Sequence, residues 1–144
     1  GAVAEACLFA ASRAELVRRV VRPGVADGAW VVCDRFVGSS LAYQGVGRGL
    51  GVDVVTDVNR AAVDGCAPDV TVLIDVPVAE AAGRRCAGDD RIEAEGTGFQ
   101  QRVADGYRAQ AEGDARMVVV DGRGSPADVH ARVLAALDAA VASA

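Results

Sequence analysis

The heptapeptide VTVLIDV, residues 70–76, decides the fold class. It is a short apolar run, rich in β-branched residues, with an aspartate near its end. AWVVC (residues 29–33) and MVVVD (residues 117–121) are also short apolar runs with an aspartate at or directly after the last residue. Runs without polar alternation are typical of strands that are buried on both faces of a parallel sheet. Helix-like patterns separate the three runs, so the sequence predicts an α/β protein built on a parallel sheet.

Helices are predicted between and around these strands. The spacing of apolar residues favours a first helix over 2–22, which Pro23 and Gly24 are expected to kink or end. The last helix has the clearest start, with Ser125 as its N-cap and Pro126 in its first turn. Other helical signals lie at 52–63, 79–86 and 99–107.

Composition excludes several classes of protein. The 144 residues, 51% of them hydrophobic, are enough for a single domain with one core. A net charge of −5 disfavours a nucleic-acid-binding surface, and no apolar run approaches the roughly 18 residues of a membrane span, so a cytoplasmic protein is expected. All fifteen basic residues are arginines. The single histidine, His130, is interpreted as an exposed helix residue, so a zinc site is not expected. The four cysteines are predicted to be small buried side chains: Cys7, Cys33, Cys66 and Cys86.

Each predicted strand ends at an aspartate. Ligands of open α/β sheets bind outside the carboxyl ends of the strands, which makes Asp34, Asp75 and Asp121 candidates by position. An aspartate after a strand also commonly caps a helix or satisfies a turn. For Asp75 and Asp121 that structural role is the alternative to ligand binding.

The stretch CDRFVGSSLAYQGVGRGLG, residues 33–51, carries most of the chemistry. Its alternating glycines do not fit G-x-G-x-x-G, so a dinucleotide fingerprint is rejected. The stretch offers the Asp34 carboxylate for a hydrated Mg²⁺, the Arg35 and Arg48 guanidinium groups for phosphate, and hydroxyls and an amide for sugar or base edges. It therefore predicts a pocket for a phosphomonoester.

This stretch resembles the Asp-Arg-aromatic segment of bacterial thymidylate kinases, D-R-Y-x-x-S-x-x-A-Y-Q-G-x-G-R-G. AEACLFAASRAELV (residues 4–17) is similar to the family's helix with L-x-F-A-A-x-R, and PDVTVLIDVP (residues 68–77) to the strand before its lid. DDRIEAEGTGFQQRVADGYRAQA (residues 89–111) resembles the mobile lid and the helix that follows. The similarity covers nearly the whole chain in the family's order.

The resemblance implies a P-loop NTPase-like fold, a three-layer parallel sheet of the nucleoside monophosphate kinase type. It also implies transfer of the ATP γ-phosphoryl group to dTMP, giving dTDP for dTTP biosynthesis, with Mg²⁺ as cofactor. The expected assembly is a homodimer, and the expected partners are small nucleotides, without nucleic acid or membrane.

The resemblance also assigns roles in the acceptor site. It implies that Asp34 is catalytic and holds Mg²⁺ indirectly, through water, and that Arg35 binds the acceptor phosphate. Phe9 would stack on thymine and Arg13 would contact the base. The remaining lining of the nucleoside site is implied to be Ser39, Ser40, Tyr43 and Gln44, with Tyr43 against the deoxyribose. Phe36 stands where the family usually has tyrosine, which removes one hydroxyl.

A lid is implied at about residues 84–98. Arg91 is its expected catalytic residue, and Arg84 or Arg85 would close with it over the transferring phosphoryl group, where they would neutralise developing charge. Arginines beside a glycine and two aspartates could equally form a solvated turn, so the roles of Arg84 and Arg85 remain open.

The family also begins with a strand and a P-loop, F-E-G-x-D-G-x-G-K-S, and the sequence contains neither that motif nor any lysine. Residues 1–144 are therefore expected to be the C-terminal part of a thymidylate kinase-like domain that is missing its first two strands, and to be inactive or nearly so alone. A non-catalytic dTMP-binding or subunit-pairing module is the main alternative. A deoxynucleoside kinase is a weaker one, because the Tyr-Gln-Gly run and the DRIE segment argue against it.

Overall fold

The computed structural model describes residues 1–84 and 95–142, and the chain divides into two compact units, Gly1–Ala67 and Pro68–Ala144. The described elements of the first unit are helical. They are α1 (Ala2–Leu16), a first π segment (Val17–Val21), α2 (Arg22–Ala26), α3 (Val37–Ser40), a second π segment (Leu41–Gly47) and α4 (Val52–Val63). The core of this unit consists of small side chains: Ala6, Ala10, Val17, Ala42 and Val55.

The first helix does not stop at Pro23. The helical path runs from α1 through the first π segment into α2, which ends at Ala26, so of the two predicted effects, a kink or an end, the end is wrong. Pro23 lies in the first turn of α2, where a missing N–H costs little. Directly before it the Arg22 N–H donates to the Val17 carbonyl, a bond five residues back that widens the helix and lets the chain pass the proline.

The strand predicted at residues 29–33 is not formed. Trp30 and Val32 are 81% and 94% exposed. A strand needs a neighbour to satisfy its N–H and C=O groups, and within the part of the chain that the structure describes the sheet contains two strands that pair with each other. Cys33 is consequently exposed, as is Cys7 on α1, so burial was wrongly predicted for both, while Cys86 lies outside the described residues.

The second unit carries the sheet. Strands β1 (Thr71–Asp75) and β2 (Met117–Asp121) are parallel, with Thr71 opposite Met117 and Asp75 opposite Asp121. Both strands lie where the apolar runs predict them, and the α/β class is confirmed. The described helices of this unit are α5 (Val78–Gly83), α6 (Thr97–Gly113) and α7 (Pro126–Ala142), and α6 and α7 pack against both strands. The buried apolar side chains of this unit are Phe99, Val103 and Val120.

The aspartates that end these strands have structural partners. The Asp75 carboxylate accepts hydrogen bonds from Arg108 Nη2 at 2.9 Å and Nε at 3.2 Å, and this bonding raises the pKa of Arg108. Asp121 accepts the N–H of Arg123 at 3.0 Å and lies 3.6 Å from a guanidinium nitrogen of Arg132. For both aspartates the structural role is the one that the contacts support.

The start of α7 is a capping box, which agrees with the predicted N-cap. The Asp128 N–H donates to Ser125 Oγ at 3.2 Å, and the Ser125 N–H donates to Asp128 Oδ2 at 3.0 Å. The Ser125 hydroxyl also donates to Asp128 Oδ2 at 2.6 Å, and this bond, followed by the one from the Ser125 N–H, lowers the pKa of the Asp128 carboxyl. No helix among residues 1–84 and 95–142 is both long and apolar enough to cross a membrane.

Removing the cap should destabilise the second unit. We expect Ser125→Ala to lower the free energy of unfolding by about 1 kcal/mol, since one helix N–H loses its acceptor. Chemical denaturation followed by circular dichroism measures the effect. Ser12→Ala is the matched control, because Ser12 is exposed inside α1 and alanine is the better helix former there. Equal losses in the two variants would mean that the cap contributes nothing specific.

Candidate functional site

The residues implied to bind the acceptor nucleotide all lie in the first unit. Phe9 and Arg13 are one turn apart on α1, and Phe9 is 43% exposed. Asp34 and Arg35 lie in the exposed loop before α3. Ser39 and Ser40 belong to α3, and Tyr43 and Gln44 to the second π segment.

Arg13 is the centre of a buried cluster. Its Nη2 donates to the Phe36 carbonyl at 3.1 Å and to Ser40 Oγ at 3.0 Å, and its Nη1 donates to Asn59 Oδ1. The guanidinium carbon lies 5.5 Å from the centre of the Phe36 ring. We call Arg13, Phe36, Ser40 and Asn59 the Arg13 cluster. Desolvation lowers the pKa of Arg13, but an arginine stays protonated at neutral pH.

The charge of Arg13 is not neutralised within its cluster. Its hydrogen-bond partners among the described residues are a carbonyl, a hydroxyl and an amide, and none is a carboxylate. Three of the five guanidinium N–H groups are used. A buried cation with neutral partners attracts an anion or a carbonyl oxygen more strongly than an exposed one, since water screens it less.

Arg35 has an unusual backbone and a defined side-chain contact. Its φ is +64°, a left-handed conformation that is uncommon for residues other than glycine and is often found at functional sites. Its guanidinium carbon lies 5.2 Å from the centre of the Tyr43 ring. Asp34, directly before it, is exposed, and the described residues offer its carboxylate no hydrogen bond or ion pair. The loop therefore presents a carboxylate and a guanidinium side by side.

Gln44 and Arg48 share one carboxylate. Gln44, 2% exposed, donates from Nε2 to Glu5 Oε1 at 2.9 Å, and Arg48 Nε lies 3.3 Å from the same oxygen. The Gln44 amide is therefore hydrogen-bonded to Glu5 of α1, whereas Ser40 is hydrogen-bonded to Arg13. This arrangement sits on a π segment, a helix type that is rare and frequently marks functional sites.

Sequence reasoning missed Glu5 and Asn59. Asn59 had a readable signal, because it follows Val55 by four residues and so interrupts the apolar face of α4 with an amide. Polar groups on such a face are normally hydrogen-bonded, so a partner was to be expected. Glu5 had no comparable signal, since an acidic residue in the first turn of a helix is common.

A concavity lies within the second unit, beside the carboxyl ends of β1 and β2. It is an open pocket of about 540 Å³. Arg84 borders it and donates from Nη1 to the Gly122 carbonyl at 3.0 Å, while His130 is exposed on its α7 side, as predicted. Arg85 and Arg91, the other implied lid residues, lie outside the described residues. The remaining lining residues are Ile74, Gly124, Pro126, Val129 and Val133.

The donor set fits a hydrated magnesium ion and not a caged metal. No group of three or more His, Cys, Asp or Glu side chains that could enclose an ion occurs in the described ranges. Mg²⁺ typically keeps several waters and uses one or two carboxylates together with substrate phosphates. The exposed Asp34 carboxylate meets that requirement.

The parallel strands and the helices that pack on them define an α/β protein. The family model described as thymidylate kinase matches residues 2–133. The chain therefore belongs to the thymidylate kinase family, an enzyme family with the P-loop NTPase fold.

Individual relatives agree with this assignment. The chain is 45% identical to a thymidylate kinase of Rhizorhabdus wittichii over 139 residues, which cover 93% of this chain and 67% of the relative. It is 49% identical to one from Synechococcus sp. (strain CC9311) over 108 residues (74% and 51%), and 38% identical to one from Chlorobaculum parvum over 149 residues (95% and 69%). The chain thus spans about half to two thirds of the length of these relatives.

Proposed function

We propose that the chain contributes the acceptor site and lid of a dTMP kinase, which transfers the γ-phosphoryl group of ATP to dTMP and releases ADP and dTDP. The observation that carries the proposal is the Arg13 cluster, a buried cation with neutral partners beside a loop that presents Asp34 and Arg35. Family membership supports the choice of reaction. The arginines, the hydroxyl groups and the aromatic side chains of this unit suit a nucleotide with one phosphate, one sugar and one flat base.

Each part of the acceptor would meet a matching group. Arg35 would bind the phosphate with two parallel hydrogen bonds, the geometry for which a guanidinium is suited. Phe9, 43% exposed on α1, would stack on the base, and Arg13 would donate to a base carbonyl. Tyr43, whose ring lies under the Arg35 guanidinium, would pack against the deoxyribose. Ser39, Ser40 and Gln44 complete the proposed lining.

The transfer itself needs little covalent chemistry from the protein. A phosphate oxygen of dTMP bonds to the γ-phosphorus of ATP as the bond to the ADP oxygen breaks. Mg²⁺, which Asp34 would hold through water, would neutralise phosphate charge when bound. Arg91, with Arg85, would compensate the remaining charge from the lid, since Arg84 is held by Gly122 and Glu80.

The pocket of the second unit is our proposed site for the purine of ATP. The planar Arg84 guanidinium can stack on a flat ring, and Val129 and Val133 supply apolar lining. The Arg84 guanidinium is fixed by its bonds to Gly122 and Glu80, so it would not have to be ordered by the ligand.

The proposed assembly is a homodimer in the cytoplasm that acts on small nucleotides. Exposed apolar side chains on α1, among them Val3 at 59% and Leu8 at 71%, could be covered by a second copy. The net charge of −5 argues against a nucleic-acid partner.

One experiment tests the acceptor site and the activity separately. The sequence has no lysine and no G-x-x-x-x-G-K-[ST], so we expect the purified 144-residue chain to bind dTMP without forming dTDP from ATP. Equilibrium dialysis measures dTMP binding, and chromatography of the nucleotides measures dTDP. Thymidine is the matched control ligand and should bind at least about 100-fold more weakly, since it lacks the group that Arg35 would hold.

The outcomes separate the candidate functions. Formation of dTDP by the chain alone would overturn the expected inactivity, and a folded chain that does not bind dTMP would overturn the acceptor site. Binding of dTMP without dTDP formation is the result expected of both candidates, so the state of the purified chain separates them. A chain that stays stably folded and monodisperse favours the second candidate, a non-catalytic dTMP-binding or subunit-pairing module, whereas a chain that exposes apolar surface and aggregates on its own favours a part of the kinase. The second candidate is supported by the Arg13 cluster being complete within one unit. Phosphorylation of thymidine in place of dTMP would instead indicate a deoxynucleoside kinase.

A further inference from the structure

Asn59 is a fully buried amide with both ends engaged. Its exposure is 0%, its Oδ1 accepts a hydrogen bond from Arg13 Nη1, and its Nδ2 donates to the Val55 carbonyl at 2.8 Å. The bond to Val55 orients the amide so that its oxygen points at the guanidinium. Val55, one turn earlier on α4, is also 0% exposed, so an apolar side chain is buried at the neighbouring position of the same helix face.

The amide is therefore not needed to fill space. An aliphatic residue would bury apolar surface at this position, as Val55 does, and would not require a polar partner. What Asn59 adds is an acceptor for Arg13. Arg13 then has three hydrogen-bond acceptors. Nη1 donates to Asn59, and Nη2 donates to the Phe36 carbonyl before α3 and to Ser40 Oγ within α3. Three such bonds fix both the position of the guanidinium and its rotation.

The remaining N–H groups of Arg13 are then held in a defined direction. A guanidinium has five N–H groups, and the described residues accept from three of them. Thymine and cytosine differ at ring position 4, where thymine has a carbonyl acceptor and cytosine an amino donor. A guanidinium N–H held in one direction donates a hydrogen bond to the thymine carbonyl but faces the cytosine amino group donor to donor, which is unfavourable. A mobile arginine would turn away from the amino group and so discriminate less.

We infer that Asn59 is a positioning residue that holds Arg13 as a fixed donor and so sets a preference for thymine over cytosine. This inference rests on the proposed dTMP site. Asn59 itself does not touch the nucleotide, and its effect passes through Arg13.

The test is the ratio of dTMP to dCMP affinity, measured by equilibrium dialysis on the 144-residue chain. Asn59→Leu keeps the branched shape of the side chain and removes the acceptor, and should lower the ratio by about 10-fold, the loss expected for one hydrogen bond to a charged group. Asn59→Asp restores an acceptor in the same place and should keep most of the preference. Val55→Ala is the matched control, because it lowers the melting temperature through a cavity on the same helix but should leave the ratio unchanged.

A double-mutant cycle shows whether Asn59 acts through Arg13. In an Arg13→Gln background, Asn59→Leu should cause no further change in the ratio. An unchanged ratio in Asn59→Leu, or an equal fall in Val55→Ala, would overturn the inference while leaving the dTMP site intact. If the parent chain does not bind dTMP or does not prefer it over dCMP, the proposed function fails first and the inference with it. Should Asn59→Leu not fold, Asn59→Ser, which is smaller and cannot reach Arg13 in the same way, decides the question by the same ratio.

Discussion

Arg35→Ala is expected to weaken dTMP binding by at least about 100-fold. A guanidinium that grips a phosphate with two charge-assisted hydrogen bonds contributes roughly 1.5 to 3 kcal/mol for each bond, and every 1.4 kcal/mol corresponds to a tenfold change in affinity. The net charge of −5 provides no general attraction that could replace the lost contact. Equilibrium dialysis with dTMP measures the loss.

Arg35→Gly makes the comparison sharper. Because φ at this position is +64°, alanine keeps the backbone strain that arginine has, whereas glycine adopts this conformation without a steric penalty. The glycine variant should therefore unfold at a higher temperature than the alanine variant, yet both should lose dTMP binding to the same extent. Thymidine binding should be nearly unchanged in both. If Arg35→Gly bound dTMP as tightly as the parent, the phosphate role of this arginine would be excluded.

Gly122→Ala is expected to have the largest effect on stability, a loss of about 1 to 3 kcal/mol. A Cβ at this position would lie 2.4 Å from Val76 Cγ2, 2.7 Å from Ile74 Cγ2 and 3.1 Å from the Asp75 carbonyl oxygen. The backbone cannot easily move away, since the Gly122 N–H donates to that carbonyl at 2.8 Å. Thermal unfolding should show a fall in melting temperature of about 3 to 10 °C.

Gly113→Ala serves as the control for this substitution. Gly113 ends α6, and a Cβ there would meet no atom within 4 Å. Alanine is also the better helix former, so this variant should be as stable as the parent or slightly more stable. If the two variants had equal melting temperatures, the close approach of Gly122 to β1 would not contribute to the stability of the protein.

Local signals in the sequence were enough for the elements that depend on local chemistry. The strands at 71–75 and 117–121 follow from β-branched runs, α4 spans the predicted 52–63, and the capping box at Ser125 marks the start of α7. In each case periodicity or side-chain capping lies within a few residues of the element itself. Such features are readable without knowledge of distant contacts.

Elements that depend on partners elsewhere were predicted less well. Residues 29–33 have the composition of a strand, but a strand also needs an adjacent strand, and composition cannot supply one. Pro23 normally ends a helix. Here the helix continues, because the first π segment changes the hydrogen-bond spacing directly before the proline. A π turn has no sequence signature comparable to a cap.

The candidate site shows the same division. The motif predicts roles for Arg13 and Arg35. Their neighbours were not predicted, because Asn59 pairs with Arg13 across 46 positions of the chain and Glu5 pairs with Gln44 across 39. No spacing rule covers such separations. The roles that depend on a bound nucleotide stay predictions, since they follow from the family resemblance and from the chemistry of these side chains.

Trp30 gives the molecule an experimental advantage. It is the one tryptophan of the sequence, and at 81% exposure it stands in water within the segment that forms no strand. Indole emission responds to the polarity around the ring, and no second tryptophan dilutes its signal. The chain therefore carries its own fluorescent reporter, which needs no label and no substitution, for anything that comes to cover residues 29–33.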